Sequence, residues 1–432
     1  MYMLESHLSP DQNRAVEEVQ ASAGEANVNL FLTGGAMRDM LAGFPIRDLD
    51  FVVEGNALKV AKAICDRTGA KTTFTDDNRK AAELLFPSGV TAQIAMSRQE
   101  KYGRVGSKPS VSPATIQDDL RGRDFTCNAI ALSLNRASRG LLLDPMNGLA
   151  DIERRELRAV TTYGFYDDPS RLLRLVRLGV RMGYTVEDRT NLQIANAREA
   201  EVEKRIPARA LGDELRRISL EDRSAEIVKG LEEAGLLSLF SPALIAKPNH
   251  AGLARFEKIL TLLPDDTRWR CARFGTFLYA LTEKLSPKDK AALVKSTEMP
   301  KSDVAEWQKL ELKAKKLESA LKAARVRKAS HVYHIVSAAA PEDILFTLYH
   351  STLKPVQERL RNHFGKYVQM IAEVTPEEWD SIPVKPGTPK YAKAREAFIT
   401  QRLDRRPKKV IEEPPPTVPP VPEPVMGRRG GR

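Results

Sequence analysis

The chain has 432 residues, of which 42% are hydrophobic, so it is long enough for about two to four globular domains. It contains no apolar run of 18 residues, and its first residues carry acids where a signal peptide has a basic patch and an apolar core. Cys65, Cys127 and Cys271 lie far apart without metal-ligand spacing. These features argue against a membrane-spanning, disulfide-linked or zinc-framework protein, and we expect a cytoplasmic one.

The net charge is +11, from 68 basic and 57 acidic residues. Lysine and arginine side chains that neutralise phosphates release condensed counterions, so an excess of them favours an anionic partner such as nucleic acid. Many basic proteins bind no such partner. The charge alone therefore does not decide whether this chain binds nucleic acid.

The first 155 residues mix short strands, turns and helices. Residues 27–32 alternate polar and apolar side chains and lead to Gly34 and Gly35, as a strand that enters a glycine turn does. A short helix follows and ends at Gly43. Further on, the patterns predict a strand at 48–53, an amphipathic helix at 58–68, and strands at 83–86 and 90–96.

From Asp168 to about residue 400, nearly every segment has helical spacing. Residues 171–182 are the clearest case, with Asp168 as predicted N-cap, Pro169 at the first helical position and Gly183 as C-cap. The predicted fold class is therefore α+β, with a mixed sheet in an N-terminal head and an all-helical remainder. We place the head at 1–155, a helical neck at 156–220, a helical body at 221–395, and a disordered, basic, proline-rich tail at 396–432.

Asp48 and Asp50 are the first candidate catalytic residues. They lie two apart on a predicted strand, so both side chains should point to the same face. Two carboxylates held in this way can share Mg²⁺ ions, which stabilise the attacking and leaving oxygens of an in-line phosphoryl displacement. Taken alone, an Asp-x-Asp pair is more often a solvated pair at the start of a strand.

Gly34 and Gly35 precede this pair and strengthen it. A glycine turn that opens a helix leaves backbone N–H groups free, and these can hold a triphosphate. Arg38, one turn into the helix, could add a positive charge there.

Four segments together resemble the motifs of the class II, bacterial-type tRNA nucleotidyltransferases (the CCA-adding enzymes) and of bacterial poly(A) polymerases. In chain order they are LTGGAMRD at 32–39 with DLD at 48–50, DDLRGRDFTCNA at 118–129, DPMNGLAD at 144–151, and DDPSRLLR at 167–174. The resemblance extends from residue 30 to about residue 240. It implies a nucleotidyltransferase head, a neck that reads the nucleotide, and a body that binds RNA.

The resemblance also assigns nucleotide contacts. Arg123, Asp124 and Asn128 fall where the second motif contacts the sugar and triphosphate of the nucleotide, although a helix cap and an ion pair would also account for Asp124. Arg174, in the fourth motif, is included in the nucleotide-binding set.

Asp168 and Arg171 point to base recognition. They are three apart at a predicted helix start and should share a face, with Asp as acceptor and Arg as donor. Cytosine and adenine present an amino donor beside a ring-nitrogen acceptor, whereas uracil and guanine present the reverse. The pair could thus accept C and A and refuse U and G. The alternative is a helix cap at Asp168 and a phosphate or solvent contact at Arg171.

Three residues depart from the family pattern. Gly122 stands where the family usually has arginine, and Asp167 stands where it usually has glutamate. Gln93 lies on a strand where many relatives carry an acid, which would leave Asp48 and Asp50 alone to hold metal.

The sequence thus predicts an enzyme that adds CCA, or part of it, to the 3′ end of tRNA from CTP and ATP, with Mg²⁺ as cofactor. We expect no membrane or disulfide partner. A poly(A) polymerase and a non-catalytic RNA-binding relative are the alternatives, and the presence of both Asp48 and Asp50 argues against the latter.

Overall fold

The computed structural model describes residues 2–405, which form a head built on one mixed β-sheet followed by a long series of helices. The strands, numbered in chain order, are β1 Asn29–Thr33, β2 Leu49–Glu54, β3 Lys71–Asp76, β4 Ala81–Leu85, β5 Thr91–Met96, β6 Arg98–Lys101, β7 Ser110–Pro113, β8 Ala131–Ser133, β9 Leu142–Leu143, β10 Glu156–Leu157 and β11 Thr185–Val186.

The head also holds the first six helices, which are α1 Tyr2–His7, α2 Pro10–Glu25, α3 Gly34–Leu41, α4 Ala57–Thr68, α5 Ile116–Arg121 and α6 Gly148–Arg154. A capping box formed by Ser9 and Gln12 starts α2, with Pro10 at its first position. Gly69, at a φ of +74°, ends α4.

The remaining helices follow the head, in the segments predicted as neck and body and beyond them. They are α7 Gly164–Asp167, α8 Arg171–Met182, α9 Asp188–Glu199, α10 Ala208–Ser219, α11 Ser224–Glu233, α12 Pro242–Ala246, α13 His250–Leu260, α14 Thr267–Cys271, α15 Arg273–Thr282, α16 Pro287–Ser296, α17 Lys301–Lys322, α18 Ala329–Ser337, α19 Pro341–His350, α20 Lys354–Asn362, α21 Val368–Ala372, α22 Pro376–Asp380 and α23 Pro389–Asp404.

The head sheet has seven strands in the order β3-β4-β5-β2-β1-β8-β9. Strands β2 and β5 are parallel, and the other neighbours are antiparallel. One face of the sheet, which includes Leu32, Phe51 and Ile94, belongs to the main hydrophobic core with α2 and α4. The opposite face is covered only in part, where Phe31 and Val52 pack against α5, and its open area forms the floor of a cleft.

Helix α23 extends past residue 396, at which we predicted that the tail begins, and it buries Ile399 and Leu403. The body therefore continues to at least residue 404. Residues 406–432 of the predicted tail lie outside the described residues. Within residues 2–405, no helix combines the length and the apolar character that crossing a membrane requires.

Candidate active site

The open face of the head sheet, the β6–β7 segment and helices α8 and α10 enclose a cleft of about 570 Å³. All the predicted site residues except Asp48 line it, namely Gly34, Gly35, Arg38, Asp50, Arg123, Asp124, Asn128, Asp168, Arg171 and Arg174. Residues that are up to 140 positions apart in the chain are therefore neighbours in the fold.

Asp50 holds the glycine turn in place. Its Oδ2 accepts the backbone N–H of Gly35 at 2.8 Å and that of Ala36 at 3.3 Å. A Cβ on Gly35 would lie only 3.0 Å from this oxygen, and Gly34 has a φ of +62°, so both positions favour glycine. We predicted that the amides at this helix start are free for a triphosphate, and this is wrong for Gly35 and Ala36, whose N–H groups Asp50 already occupies.

Asp48 does not lie within a strand, because β2 begins at Leu49. It is exposed and accepts a hydrogen bond from the Thr91 hydroxyl. Burial raises the pKa of Asp50 to about 6, and the negative charge of Asp48 adds to this, while Arg123 and Arg38 oppose it. The two carboxylates thus share one electrostatic environment despite their different placement.

The donor set of Asp48 and Asp50 suits a hard divalent cation, which prefers carboxylate oxygens. A cation would also relieve the repulsion that raises the pKa of Asp50. Among residues 2–405, no group of three or more His, Cys, Asp and Glu side chains is already gathered as a metal site. The pair therefore fits a cation whose remaining ligands come from water, substrate or further residues.

Arg38 lies beneath the glycine turn and is buried. Its Nε and Nη2 donate to Asp39 Oδ1 at 3.0 and 2.8 Å, and its Nη1 donates to Asn128 Oδ1 at 2.8 Å. Arg38 therefore lines the cleft with its guanidinium already paired, and its positive charge still acts on Asp50. Its contacts connect the turn to Asn128.

Asp124 is the centre of the second group. Its Oδ1 accepts from the backbone N–H of Phe125 at 2.7 Å and from Asn128 Nδ2 at 2.9 Å, and its Oδ2 accepts from Arg174 Nη1 at 2.6 Å. Burial disfavours its charge, but the positive charges of Arg174 and Arg171 hold the pKa of Asp124 well below its usual range. Asp124 is therefore a permanent anion that fixes Arg174 from the neck against the head.

Asp168 and Arg171 are held separately. Helix α8 begins at Arg171, and Asp168 precedes it, with its Oδ1 accepting from the Ser170 N–H at 3.1 Å and from the Ser170 hydroxyl at 2.5 Å. The predicted capping role of Asp168 is confirmed by its hydrogen bond from the Ser170 N–H, but the regular helix begins at Arg171 and not at Pro169. Ser170 directly precedes the helix and makes no side-chain capping hydrogen bond.

Arg171 is nearly buried. Its Nη1 and Nη2 donate to the carbonyl oxygens of Arg123 and Gly122 at 3.3 and 3.2 Å, while its Nε has no hydrogen-bond partner among the described residues. Its backbone N–H donates to the carbonyl oxygen of Asp168 at 3.1 Å, but among the described residues no hydrogen bond or ion pair joins the two side chains. Both side chains line the cleft, but they do not form the side-by-side pair that helical spacing suggested.

The sequence reasoning missed one wall of the cleft. Glu100 on β6 accepts from Arg79 Nε and Arg98 Nε, both at 2.8 Å, and from the Tyr102 hydroxyl at 2.7 Å. Burial favours its neutral form, but the hydrogen bonds and charges of the arginines lower the pKa of Glu100 to about 2. Arg98, Glu100 and Tyr102 lie two residues apart along the chain, as residues on one face of a strand do. This spacing is the sequence signal that could have identified the wall.

Glu83 and three residues of α10 were also missed. Arg209, Asp213 and Arg217 lie four apart on α10 and line the cleft opposite the sheet. Glu83 lies on the floor of the cleft, and its pKa is raised above the usual value, mainly by burial. The charge of Asp48 adds to this increase, and the charge of Arg217 opposes it. The spacing of Arg209, Asp213 and Arg217 predicts one helix face, but nothing in it predicts that this face meets the cleft.

Comparison with known proteins places the head in a family. Residues 30–158 match the family of poly A polymerase head domains. An A-adding tRNA nucleotidyltransferase of Geobacter sulfurreducens is 24% identical over 420 residues, which are 94% of this chain and 46% of that protein. A CC-adding tRNA nucleotidyltransferase of Deinococcus radiodurans is 37% identical over 177 residues, which are 41% of this chain and 47% of that protein.

The chain thus spans less than half the length of these two relatives. A solved structure of a CCA-adding enzyme in an apo form matches with a TM-score of 0.55 at 24% identity, over 93% of this chain and 94% of that one. At that identity the match shows the fold, and it confirms the predicted α+β head with a helical remainder. Residues 30–158 therefore match the poly A polymerase head domain, and the chain has the fold of a CCA-adding enzyme.

Proposed function

We propose that the chain is a template-independent nucleotidyltransferase that adds CCA, or part of it, to the 3′ end of cytoplasmic tRNA from CTP and ATP. One observation carries the proposal. Asp50, with Asp48 beside it, faces the same cleft as Asp168 and Arg171, so phosphoryl transfer and base selection can occur on one bound nucleotide. The names of the two relatives, for A addition and for CC addition, support it.

Asp48 and Asp50 are the residues that would hold Mg²⁺. When bound, the ions supply positive charge to the attacking 3′ oxygen and to the leaving pyrophosphate. In the reaction, the RNA 3′ oxygen bonds to the α-phosphorus of the nucleotide, and the bond from that phosphorus to the pyrophosphate oxygen breaks. The N–H groups of Gly35 and Ala36 hold Asp50 in position for this step.

The arginines of the cleft orient the nucleotide. Arg123 donates to Asp119 through Nε at 2.8 Å, and its side chain remains a quarter exposed. Arg174 is fixed by Asp124, and its remaining N–H groups can reach a phosphate or sugar oxygen. Because both guanidiniums are anchored before the nucleotide arrives, little side-chain entropy is lost when it binds.

Base selection is assigned to Asp168 and Arg171. Arg171 has a fixed position because the carbonyls of Gly122 and Arg123 hold it, and the residue lines the cleft. Asp168 supplies the acceptor. A base with a donor beside an acceptor, as in cytosine and adenine, is complementary to this set.

The direct test is incorporation into tRNA transcripts that end before CCA, after the first C, after CC and after CCA, with each nucleotide separately and with Mg²⁺. We expect CTP to extend the first two and ATP the third. Asp50→Asn should abolish incorporation, whereas Asp77→Asn, which changes an exposed acid outside the cleft, should not. No incorporation by the wild-type chain on any transcript would overturn the proposal.

Poly(A) addition is the second candidate, because the head matches the family of poly A polymerase head domains. The transcript that already ends in CCA distinguishes the two functions. Continued incorporation of ATP on it would identify a poly(A) polymerase, whereas a tRNA-specific enzyme stops there.

A further inference from the structure

A row of oxygen-bearing side chains crosses the floor of the cleft from strand to strand. In the sheet register, Asp50 on β2 lies opposite Gln93 on β5, and Gln93 lies opposite Glu83 on β4. Side chains that are directly opposite on neighbouring strands point to the same face. All three residues line the cleft, as this register requires.

Along the row, the side chains are the carboxylate of Asp50, the amide of Gln93 and the carboxylate of Glu83. Gln93 is the neighbour of Asp50, but its amide is neutral and adds no negative charge to a cation site. Glu83, one strand further, restores that charge on the same face. Glu83 and Gln93 are both exposed to the cleft, as Asp48 is to solvent, so neither is committed to the core.

The distance between the two acids of the row, Asp50 and Glu83, suits a pair of cations. Neighbouring strands are about 4.8 Å apart, so the backbones of Asp50 and Glu83 are separated by roughly 10 Å. Two Mg²⁺ ions about 3.5–4 Å apart, each with a ligand bond of about 2.1 Å, separate their outermost carboxylate oxygens by about 8 Å. Side chains that converge over the cleft from the two ends of the row can cover that distance.

The positive charge near Glu83 is that of Arg217 on α10, beside the negative charges of Asp48 and Asp213. Arg217 suggests a competing role for Glu83 as an ion-pair partner of the neck. Among the described ion pairs, however, Arg217 contacts Glu214 at 3.5 Å and makes no contact within 4.0 Å with Glu83. Glu83 therefore faces the cleft without a salt bridge in that part of the chain.

We propose that Glu83 is a third carboxylate of the cation site, which supplies from β4 the negative charge that Gln93 cannot supply from β5. This inference rests on the proposed function only in that Asp48 and Asp50 bind a divalent cation. It revises the expectation that these two aspartates act alone.

The test measures Mn²⁺ binding to the full chain without nucleotide, by electron paramagnetic resonance of free Mn²⁺. Glu83→Gln should raise the Kd for Mn²⁺ at least about tenfold. Adding Gln93→Glu to that variant should bring the Kd back to within about threefold of wild type, because the acid returns to the same row. Asp77→Asn, in the turn between β3 and β4, is the matched control and should leave the Kd unchanged.

An unchanged Kd in Glu83→Gln overturns the proposal. So does a weakened Kd that Gln93→Glu does not restore, since that result would assign Glu83 to the neck. Gln93→Glu alone should tighten binding, and no effect there also counts against the row as a cation site.

Asp50→Asn separates this inference from the proposed function. If wild type binds Mn²⁺ no better than Asp50→Asn, the assigned metal function itself fails. If Asp50→Asn loses binding while Glu83→Gln keeps it, only the role of Glu83 is wrong.

Discussion

Asp39 joins the head to helix α8 through a buried charge, and replacing it with asparagine tests how much that contact contributes. The Asp39 side chain is 5% exposed, and its carboxylate accepts from Arg38 at 3.0 and 2.8 Å and from Arg181 Nη2 at 2.5 Å. Asparagine keeps one acceptor but removes the charge that both guanidiniums face. Breaking a buried pair in this way costs about 3–5 kcal/mol.

Hydrogen exchange of the α8 amides, followed by mass spectrometry on the full chain, measures this cost locally. We expect the free energy of α8 opening to fall by about 3 kcal/mol, the lower end of that range, because asparagine retains an acceptor. Exchange in residues 171–182 should then be roughly 100-fold faster. A global melting temperature would be a poorer assay, because a chain with several helical layers need not unfold in one step.

Asp11→Asn is the control, since Asp11 pairs with Arg14 on the surface, with side chains 45% and 71% exposed. Such pairs contribute about 0–1 kcal/mol, so α8 exchange should not change. Equal exchange of residues 171–182 in Asp39→Asn and wild type would refute the reasoning, because Asp39 would then not be what holds α8 to the head.

Three further predictions concern single positions in the cleft and body. Gly122→Arg should lower the KM for CTP and ATP severalfold in steady-state kinetics, because it adds a positive charge to the cleft that Gly122 lines. The position accepts a side chain, since its φ is −93° and a Cβ there would approach no atom closer than 3.4 Å. An unchanged KM contradicts this prediction. Replacing Asp168 and Arg171 by alanine should reduce the preference for CTP and ATP over UTP and GTP by roughly one to two orders of magnitude per contact in single-turnover incorporation, and a wild-type preference would assign base reading elsewhere. Burial lowers the pKa of His363 to about 4 from its ordinary 6.5, so the unfolded chain takes up a proton at a higher pH than the folded chain. The free energy of unfolding should therefore fall by up to about 3 kcal/mol as the pH decreases from 6.5 to 4. Thermal melting at pH 7 and 5 should show a smaller loss of stability in His363→Phe than in wild type, and an equal loss would exclude this histidine as the cause.

Local patterns predicted the head in part. The order β1, α3, β2, α4 and the bounds of α8 follow from alternation, glycine turns and caps, which act within a few residues. Strand β3 was missed because its sequence, KTTFTD, is exposed along nearly its whole length and carries no apolar alternation. Strands β6 and β7 were missed because each has only four residues.

The contacts of the site depend on tertiary structure that the sequence does not reveal. The motifs identified Asp50, Gly35 and Arg38, but not that Asp50 uses the amide of Gly35 or that Arg38 is buried between Asp39 and Asn128. Glu83 and Gln93 are neighbours because of the register of β4 against β5. A register shift of one residue would turn one of the two side chains to the opposite face of the sheet.

The arginines of α8 restrict how this fold can be recombined. At successive turns they donate to acceptors from different parts of the chain. Arg171 donates to the carbonyls of Gly122 and Arg123, and Arg174 donates to Asp124. Arg177 donates to Glu214 and Glu221, and Arg181 donates to Asp39. A chimera that takes its neck from a relative would need the acceptors of Arg171, Arg174 and Arg181 on a head of different origin, whereas those of Arg177 lie outside the head. The head and neck are therefore not independent modules, and productive exchange between relatives requires the transfer of both together.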